Sequence, residues 1–177
     1  IAKIERRGHG DDLRALGPPF IEGTDDSAYF VTLNRNKRSV SLDFTQPEGA
    51  AILKRMVANA DVLVENFRSG TLERYGLGWE DLRKVNPRLI FCSVTGFGQT
   101  GPYAGRSGYD FVAQAMSGLM EVTGEADGTP GGGPQRVGVP VADMFTGWAA
   151  TVSILAALRH RDRTGEGQAI DVNLFET

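Results

Sequence analysis

An α/β fold with a parallel sheet and crossover helices is predicted by three observations. Short apolar, β-branched runs at residues 61–65 and 88–94 read as buried strands. Helical patterns separate the strands. The order strand, helix, strand, helix, strand at this spacing is that of parallel pairing through crossovers. In such sheets ligands sit beyond the carboxyl ends of the strands, at the segments that follow them.

The elements follow in order. Ile1-Ala2-Lys3-Ile4-Glu5 reads as the second half of a strand. Residues 8–27, rich in Gly, Asp and Pro, read as a loop. Polar and apolar residues alternate over 39–43, as in a strand. Thr45-Gln46-Pro47-Glu48 opens a helix, with Pro in the first turn and an acid beside it, and Ala51, Ile52, Met56 and Val57 form its expected buried stripe. A strand at 61–65, a helix over 79–85 and a strand at 88–94 come next. Residues 109–122 read as a helix and 124–138 as a Gly/Pro-rich loop. A long helix is predicted over 143–160, with Ala149, Val152, Leu155, Ala156 and Leu158 apolar. Arg159, His160 and Arg161 crowd its end, where cations favour the helix dipole, and Gly165 lies just beyond. The chain ends inside an apolar-periodic segment and has no starting Met, so it is expected to be an internal piece of a longer protein.

The 177 residues fit one domain of ordinary size. With 41% apolar and 23% charged residues the composition is globular. A net charge of −3 points away from nucleic acid as a partner. No apolar run reaches bilayer-spanning length, so no membrane association is expected. Cys92 lies in an apolar run and is expected to be a buried core thiol, which is compatible with a reducing compartment. His9 and His160 are far apart, and neither sits at ligand spacing to a partner, so no metal site is expected.

Asp143 follows an apolar stretch and precedes a helix. It reads either as an N-cap, accepting from the first free amides, or as a nucleophile, since a carboxylate at a helix start stays ionised and competent toward a thioester. Arg6, Arg7, Arg35, Lys37, Arg38, Arg68 and Arg74 read either as solvated surface charge or as a phosphate and ribose site for a nucleotide-like cofactor. Arg6 and Arg68 each follow a strand. Gly131-Gly132-Gly133 lacks the strand-before, helix-after context of a phosphate loop and reads as a flexible link.

An ordered set of motifs carries a family resemblance. It begins with Lys3-Ile4-Glu5-Arg6-Arg7-Gly8-His9-Gly10-Asp11-Asp12 and Asn34-Arg35-Asn36-Lys37-Arg38-Ser39, and continues with residues 61–70 and 93–102. Gly108-Tyr109-Asp110, Val141-Ala142-Asp143-Met144-Phe145-Thr146-Gly147 and Gly165-Glu166-Gly167-Gln168 complete it. Together they resemble family III CoA-transferases, the CaiB/BaiF group that includes formyl-CoA transferase. Each motif alone is weak, whereas the ordered set, spanning essentially the whole chain, is specific.

The resemblance implies a Rossmann-like parallel sheet belonging to the family III CoA-transferase fold. Residues 1–177 would then be part of the large CoA-binding and catalytic domain, lacking the opening strand and helix and the C-terminal part. It places the family nucleophile on Asp143 and CoA contacts on Arg6, Leu42, Asn66, Phe67, Arg68, Arg74 and Tyr109. It implies no tightly bound cofactor, with coenzyme A or acyl-CoA as substrate. The partners implied are an acyl-CoA and a carboxylic acid, and the full-length protein would be an interlocked homodimer in the cytoplasm, or in a mitochondrial or peroxisomal matrix. The implied reaction moves CoA between acids through an aspartyl anhydride and an aspartyl-CoA thioester. The Gly-Asp-Asp-x-Arg and Gly-Pro-Pro-Phe patterns in the loop around Leu16 look more like the succinyl-CoA–dicarboxylate members. Two alternatives stand beside this reading. One is a 2-methylacyl-CoA racemase-like isomerase, whose histidine would fall at Tyr109, where a phenol is a poor base at neutral pH. The other is a CoA-binding module without catalysis.

Overall fold

The computed structural model describes residues 1–177, which form two compact units, Ile1–Leu53 and Lys54–Thr177. In the first unit, strands β1 (Ala2–Glu5) and β2 (Arg38–Ser41) pair in parallel. A 3-10 turn at Asp12–Ala15 and helix α1 (Ala28–Asn34) lie between them in the chain. Helix α2 (Pro47–Val57) contains the boundary between the units.

The second unit holds strands β3 (Val62–Glu65), β4 (Ile90–Thr95) and β5 (Gln168–Asn173), paired in parallel in the order β3-β4-β5. Helix α3 (Trp79–Val85) lies between β3 and β4 in the chain. Helices α4 (Asp110–Met116), α5 (Leu119–Thr123) and α6 (Val141–Thr164) lie between β4 and β5. The predicted parallel α/β architecture is therefore present, with every strand pair parallel.

β4 is the central strand and carries the core. Leu89, Ile90, Phe91 and Cys92 are buried with Leu72, Leu77 and Leu82. Trp79 of α3 meets Phe91 with ring centroids 6.3 Å apart. The Asn86 amide donates to the carbonyls of Val57 at 3.0 Å and Ala60 at 2.8 Å, so the turn before β4 leaves these backbone acceptors satisfied. Buried Arg161 of α6 pairs with Asp61 at 2.9 Å, fixing the late turns of α6 beside the start of β3.

In the first unit, buried Glu5 holds the loop that follows β1. It accepts from Arg14 Nε at 2.8 Å and Nη2 at 2.9 Å, and from the Asp11 amide at 2.9 Å. The Arg14 guanidinium lowers the Glu5 carboxyl to about 2, against an opposing effect of burial. The same guanidinium lies 4.2 Å from the centre of the Phe30 ring, tying α1 to this loop.

Five expectations are corrected. Of the expected α2 stripe Val57 is buried and Met56 half-buried, while Ala51 and Ile52 are exposed and Gly49 and Leu53 complete the buried face. β3 is a half-exposed edge strand, because only β4 pairs with it, and Val64 faces away from the core. The helix read over 109–122 is two helices, broken where Gly118 takes φ 83°, a left-handed conformation that interrupts an α-helix. The loop read over 8–27 contains the 3-10 turn Asp12–Ala15, and α1 begins directly after it, with Ser27 as its N-cap. Finally, α6 begins at Val141, and its 24 residues are long and apolar enough to cross a bilayer by length and composition. Polar residues punctuate the helix, so it contains no uninterrupted apolar run of that length.

Candidate active site

Asp143 lies in the first turn of α6, not at its N-cap, which is Pro140. A helix start leaves its first amides without intrahelical partners. Here each has one. Val141 N–H donates to the Val139 carbonyl at 2.8 Å and Met144 N–H to the Pro140 carbonyl at 3.0 Å. Ala142 and Asp143 N–H both donate to Asp110 Oδ1, at 2.8 and 3.3 Å. The capping carboxylate thus comes from α4, 33 residues before Asp143, and the N-cap reading of Asp143 is corrected. No hydrogen bond reaches the Asp143 carboxyl, and its residue is exposed. Loss of hydration among neighbouring atoms, and then the charge of Asp110, push its pKa above the ordinary aspartate value. The carboxyl is therefore more basic than a capping aspartate would be.

The rest of this corner is built from backbone contacts. Gly96, after β4, and Gly108, before α4, approach so closely that a Cβ on either would lie 2.4 Å from the other's Cα. This contact brings Tyr109 and Asp110 to the carboxyl end of β4. Tyr109 is exposed and stacks on Phe111, with centroids 6.0 Å apart and the rings within 2° of parallel. Arg68, beyond the end of β3, donates from Nε to Ser107 Oγ at 2.7 Å. On the other side, the Thr146 hydroxyl of α6 bonds Thr177 at 2.6 Å, and Thr177 donates to the Asn173 carbonyl at 2.9 Å, linking the start of α6 to the end of β5.

The second unit therefore gathers Arg68, Tyr109 and Asp143 around the carboxyl ends of its strands. Asn66 and Phe67 follow β3 directly and are exposed, with the Phe67 amide donating to Glu65 Oε2 at 2.8 Å. Arg74 is exposed in the 3-10 turn Glu73–Tyr75. In the first unit, Arg6 and Leu42 sit side by side just past the β1-β2 pair, where Glu5 aligns with Ser41 and Leu42 N–H donates to the Glu5 carbonyl at 3.0 Å. The Arg6 side chain pairs with Asp12. Arg35 and Lys37 between α1 and β2, and Arg38 at the start of β2, are exposed, with Lys37 donating to Asn34 at 3.0 Å. Cys92 is buried as expected, and burial first, then the charges of Glu65 and Asp171, push its thiol up to about 11. It is not a nucleophile at neutral pH.

The family profile of CoA-transferase family III matches residues 1–177. The chain belongs to CoA-transferase family III. Among curated proteins it is 51% identical over 99% of its length to a succinate–glutarate CoA-transferase of Agrobacterium fabrum, covering 44% of that protein. It is 48% identical over its whole length to a succinyl-CoA:glutarate CoA-transferase of Mus musculus, covering 39% of that protein. The chain thus spans less than half the length of these family III relatives. Among solved structures, a CaiB/BaiF family protein from Brucella suis superposes with a TM-score of 0.91 at 51% identity, over 99% of this chain and 46% of that one. Rv3272 from M. tuberculosis superposes with a TM-score of 0.88 at 36% identity, over 99% of this chain and 47% of that one.

Two residues of this candidate site were not singled out from the sequence. Asp110 was seen only as part of a motif, and Gln114 not at all. The Asp110/Gln114 spacing of four, on a helix start following a glycine, was the available signal.

Proposed function

We propose that the full-length protein transfers CoA from a succinyl-CoA-type donor to a dicarboxylic acid, with Asp143 as the covalent nucleophile. The observation that carries this reading is the Asp143 carboxyl, exposed and unengaged at a helix start whose amides are already occupied. The names of the relatives, succinate–glutarate and succinyl-CoA:glutarate CoA-transferases, support the substrate class.

The steps balance without a net proton. An Asp143 oxygen attacks the thioester carbonyl, forming a C–O bond. The C–S bond breaks, leaving a mixed anhydride and CoA thiolate. The thiolate attacks the aspartyl carbonyl, the donor acid leaves as carboxylate, and Asp143 becomes an enzyme–CoA thioester. The acceptor carboxylate attacks that thioester and displaces the thiolate. The thiolate then takes the acceptor acyl carbon, restoring the Asp143 carboxylate. Each hard exchange is thereby split into easier ones. Developing oxyanions require donors, and because the first amides of α6 are used internally, those donors come from other segments or the substrate. Tyr109 occupies the position where an isomerase of this family would place its histidine, which counts against proton transfer at the α-carbon.

Each unit carries its own candidate CoA contacts, Arg6 and Leu42 in the first and Asn66, Phe67, Arg68, Arg74 and Tyr109 in the second. The apolar side chains of Met144, Phe145, Trp148, Val152 and Leu155, exposed along α6, are the surface we assign to a homodimer interface. Incubating the full-length protein with candidate acyl-CoA donors and dicarboxylic acids, and following CoA exchange by mass, tests the activity. In that assay Arg6→Ala, Arg68→Ala and Arg74→Ala are each expected to raise KM for acyl-CoA about 3- to 30-fold with a smaller change in kcat. Unchanged CoA affinity by calorimetry in all three would make them surface charges.

A further inference from the structure

Asp110 lies on the path between the β4 end and the proposed nucleophile, and both of its carboxylate oxygens are used. Oδ1 takes the amides of Ala142 and Asp143, while Oδ2 accepts from Gln114 Nε2 at 2.6 Å. Gln114 is buried to 1% exposure, and its carbonyl oxygen accepts from Val137 N–H at 2.8 Å. One chain of hydrogen bonds thus joins α4, the loop before α6 and the first turn of α6.

We propose that Asp110 is a positioning residue for Asp143, occupying the helix-start amides so that the Asp143 carboxylate is left off them and available for attack, with Gln114 fixing Asp110 in that role. The proposal rests on the reading of Asp143 as nucleophile. A short acidic side chain in a first turn ordinarily folds back onto free amides. Hydrogen bonds to a carboxylate stabilise its charge and lower its basicity, which weakens it as a nucleophile. By taking those amides, Asp110 removes the competing partners. It also anchors the turn that carries Asp143 to the Gly108 corner, and a displacement of this kind weighs heavily in a covalent reaction.

The chemistry of the pair provides the test. In Asp110→Asn, one oxygen still accepts from the α6 amides, but the new NH2 faces the NH2 of Gln114. Adding Gln114→Glu repairs this, since one glutamate oxygen accepts from the new Asn NH2 and the other from Val137 N–H. In the full-length protein, Asp110→Asn is expected to lower kcat for CoA exchange about 10- to 100-fold, with KM for acyl-CoA within about twofold. The double variant Asp110→Asn/Gln114→Glu is expected to recover kcat to within about threefold of wild type. If the single variant does not fold, the double variant decides alone: kcat near wild type supports the proposal and kcat lost overturns it. Wild-type kcat in Asp110→Asn, a rise in KM alone, or equal kcat loss in the single and double variants would also overturn it. Asp143→Ala measured in parallel separates the two readings, because exchange persisting there removes the nucleophile assignment whatever Asp110 does.

Discussion

Asp143→Ala in the full-length protein is expected to lower CoA exchange by at least about a thousandfold, equivalent to roughly 4 kcal/mol of transition-state stabilisation. CoA binding by calorimetry should stay within about threefold, since the side chain acts on the thioester carbon and not on the nucleotide. The size of the loss follows from removing a bond-forming group: the anhydride and the enzyme thioester both need that carboxylate. The fold should be unaffected, because the Asp143 side chain makes no hydrogen bond and the helix start is capped by Asp110. Turnover within about tenfold of wild type would be a loss of only about 1.4 kcal/mol, too small for a covalent nucleophile.

Gly108→Ala is expected to damage both stability and activity. The added methyl would lie 2.4 Å from Gly96 Cα, where non-bonded carbons need about 3.5–4.0 Å. Both atoms across the contact belong to backbone, so no side chain can rotate away. Overpacking of this kind costs about 1–3 kcal/mol. The displaced segment leads directly into Tyr109 and Asp110, so kcat should also fall, by about 100-fold. Gly105→Ala is the control, since a Cβ there meets nothing within 4 Å. Thermal unfolding and exchange rates of the two variants give the answer, and identical behaviour would show that the Gly96–Gly108 approach does not hold the site together.

The parts legible from sequence were those set by local pattern. The helix read over 79–85 coincides with α3, and the run at 88–94 largely coincides with the buried β4, because short-range periodicity and turn residues decide both. Gly165, legible as the residue beyond the helix, is the C-cap of α6 at φ 85°, although the helix runs to Thr164 and not to His160. The start of α6 was not legible, because Val141 and Ala142 read as the end of the apolar stretch before it. The first-turn amides of Ala142 and Asp143 are held by the Asp110 carboxylate, 32 residues from Ala142 in the chain. The break at Gly118 was hidden for a related reason: a glycine inside a helical pattern is compatible with a continuous helix until its φ is known. The segments that follow the strands at 61–65 and 88–94 were legible as the ligand side of the sheet, and Asn66, Phe67 and Arg68 do follow β3 directly. The Gly96–Gly108 contact, which brings Tyr109 and Asp110 to β4, depends on how two distant backbones meet, and no local pattern encodes it.

The most direct test of Asp143 as nucleophile is to follow oxygen. The full-length protein is turned over with an acyl-CoA donor and an acceptor dicarboxylic acid carrying heavy oxygen in its carboxylates, then digested and analysed by peptide mass. When the acceptor carboxylate attacks the enzyme thioester, one of its oxygens becomes the anhydride bridge. When the thiolate takes the acceptor acyl carbon, that bridge stays on the aspartate. The account predicts labelled oxygen in the peptide bearing Asp143, at that side chain, only when donor and acceptor are both present. CoA exchange that proceeds with no label at Asp143, or with label at another carboxylate, would contradict it.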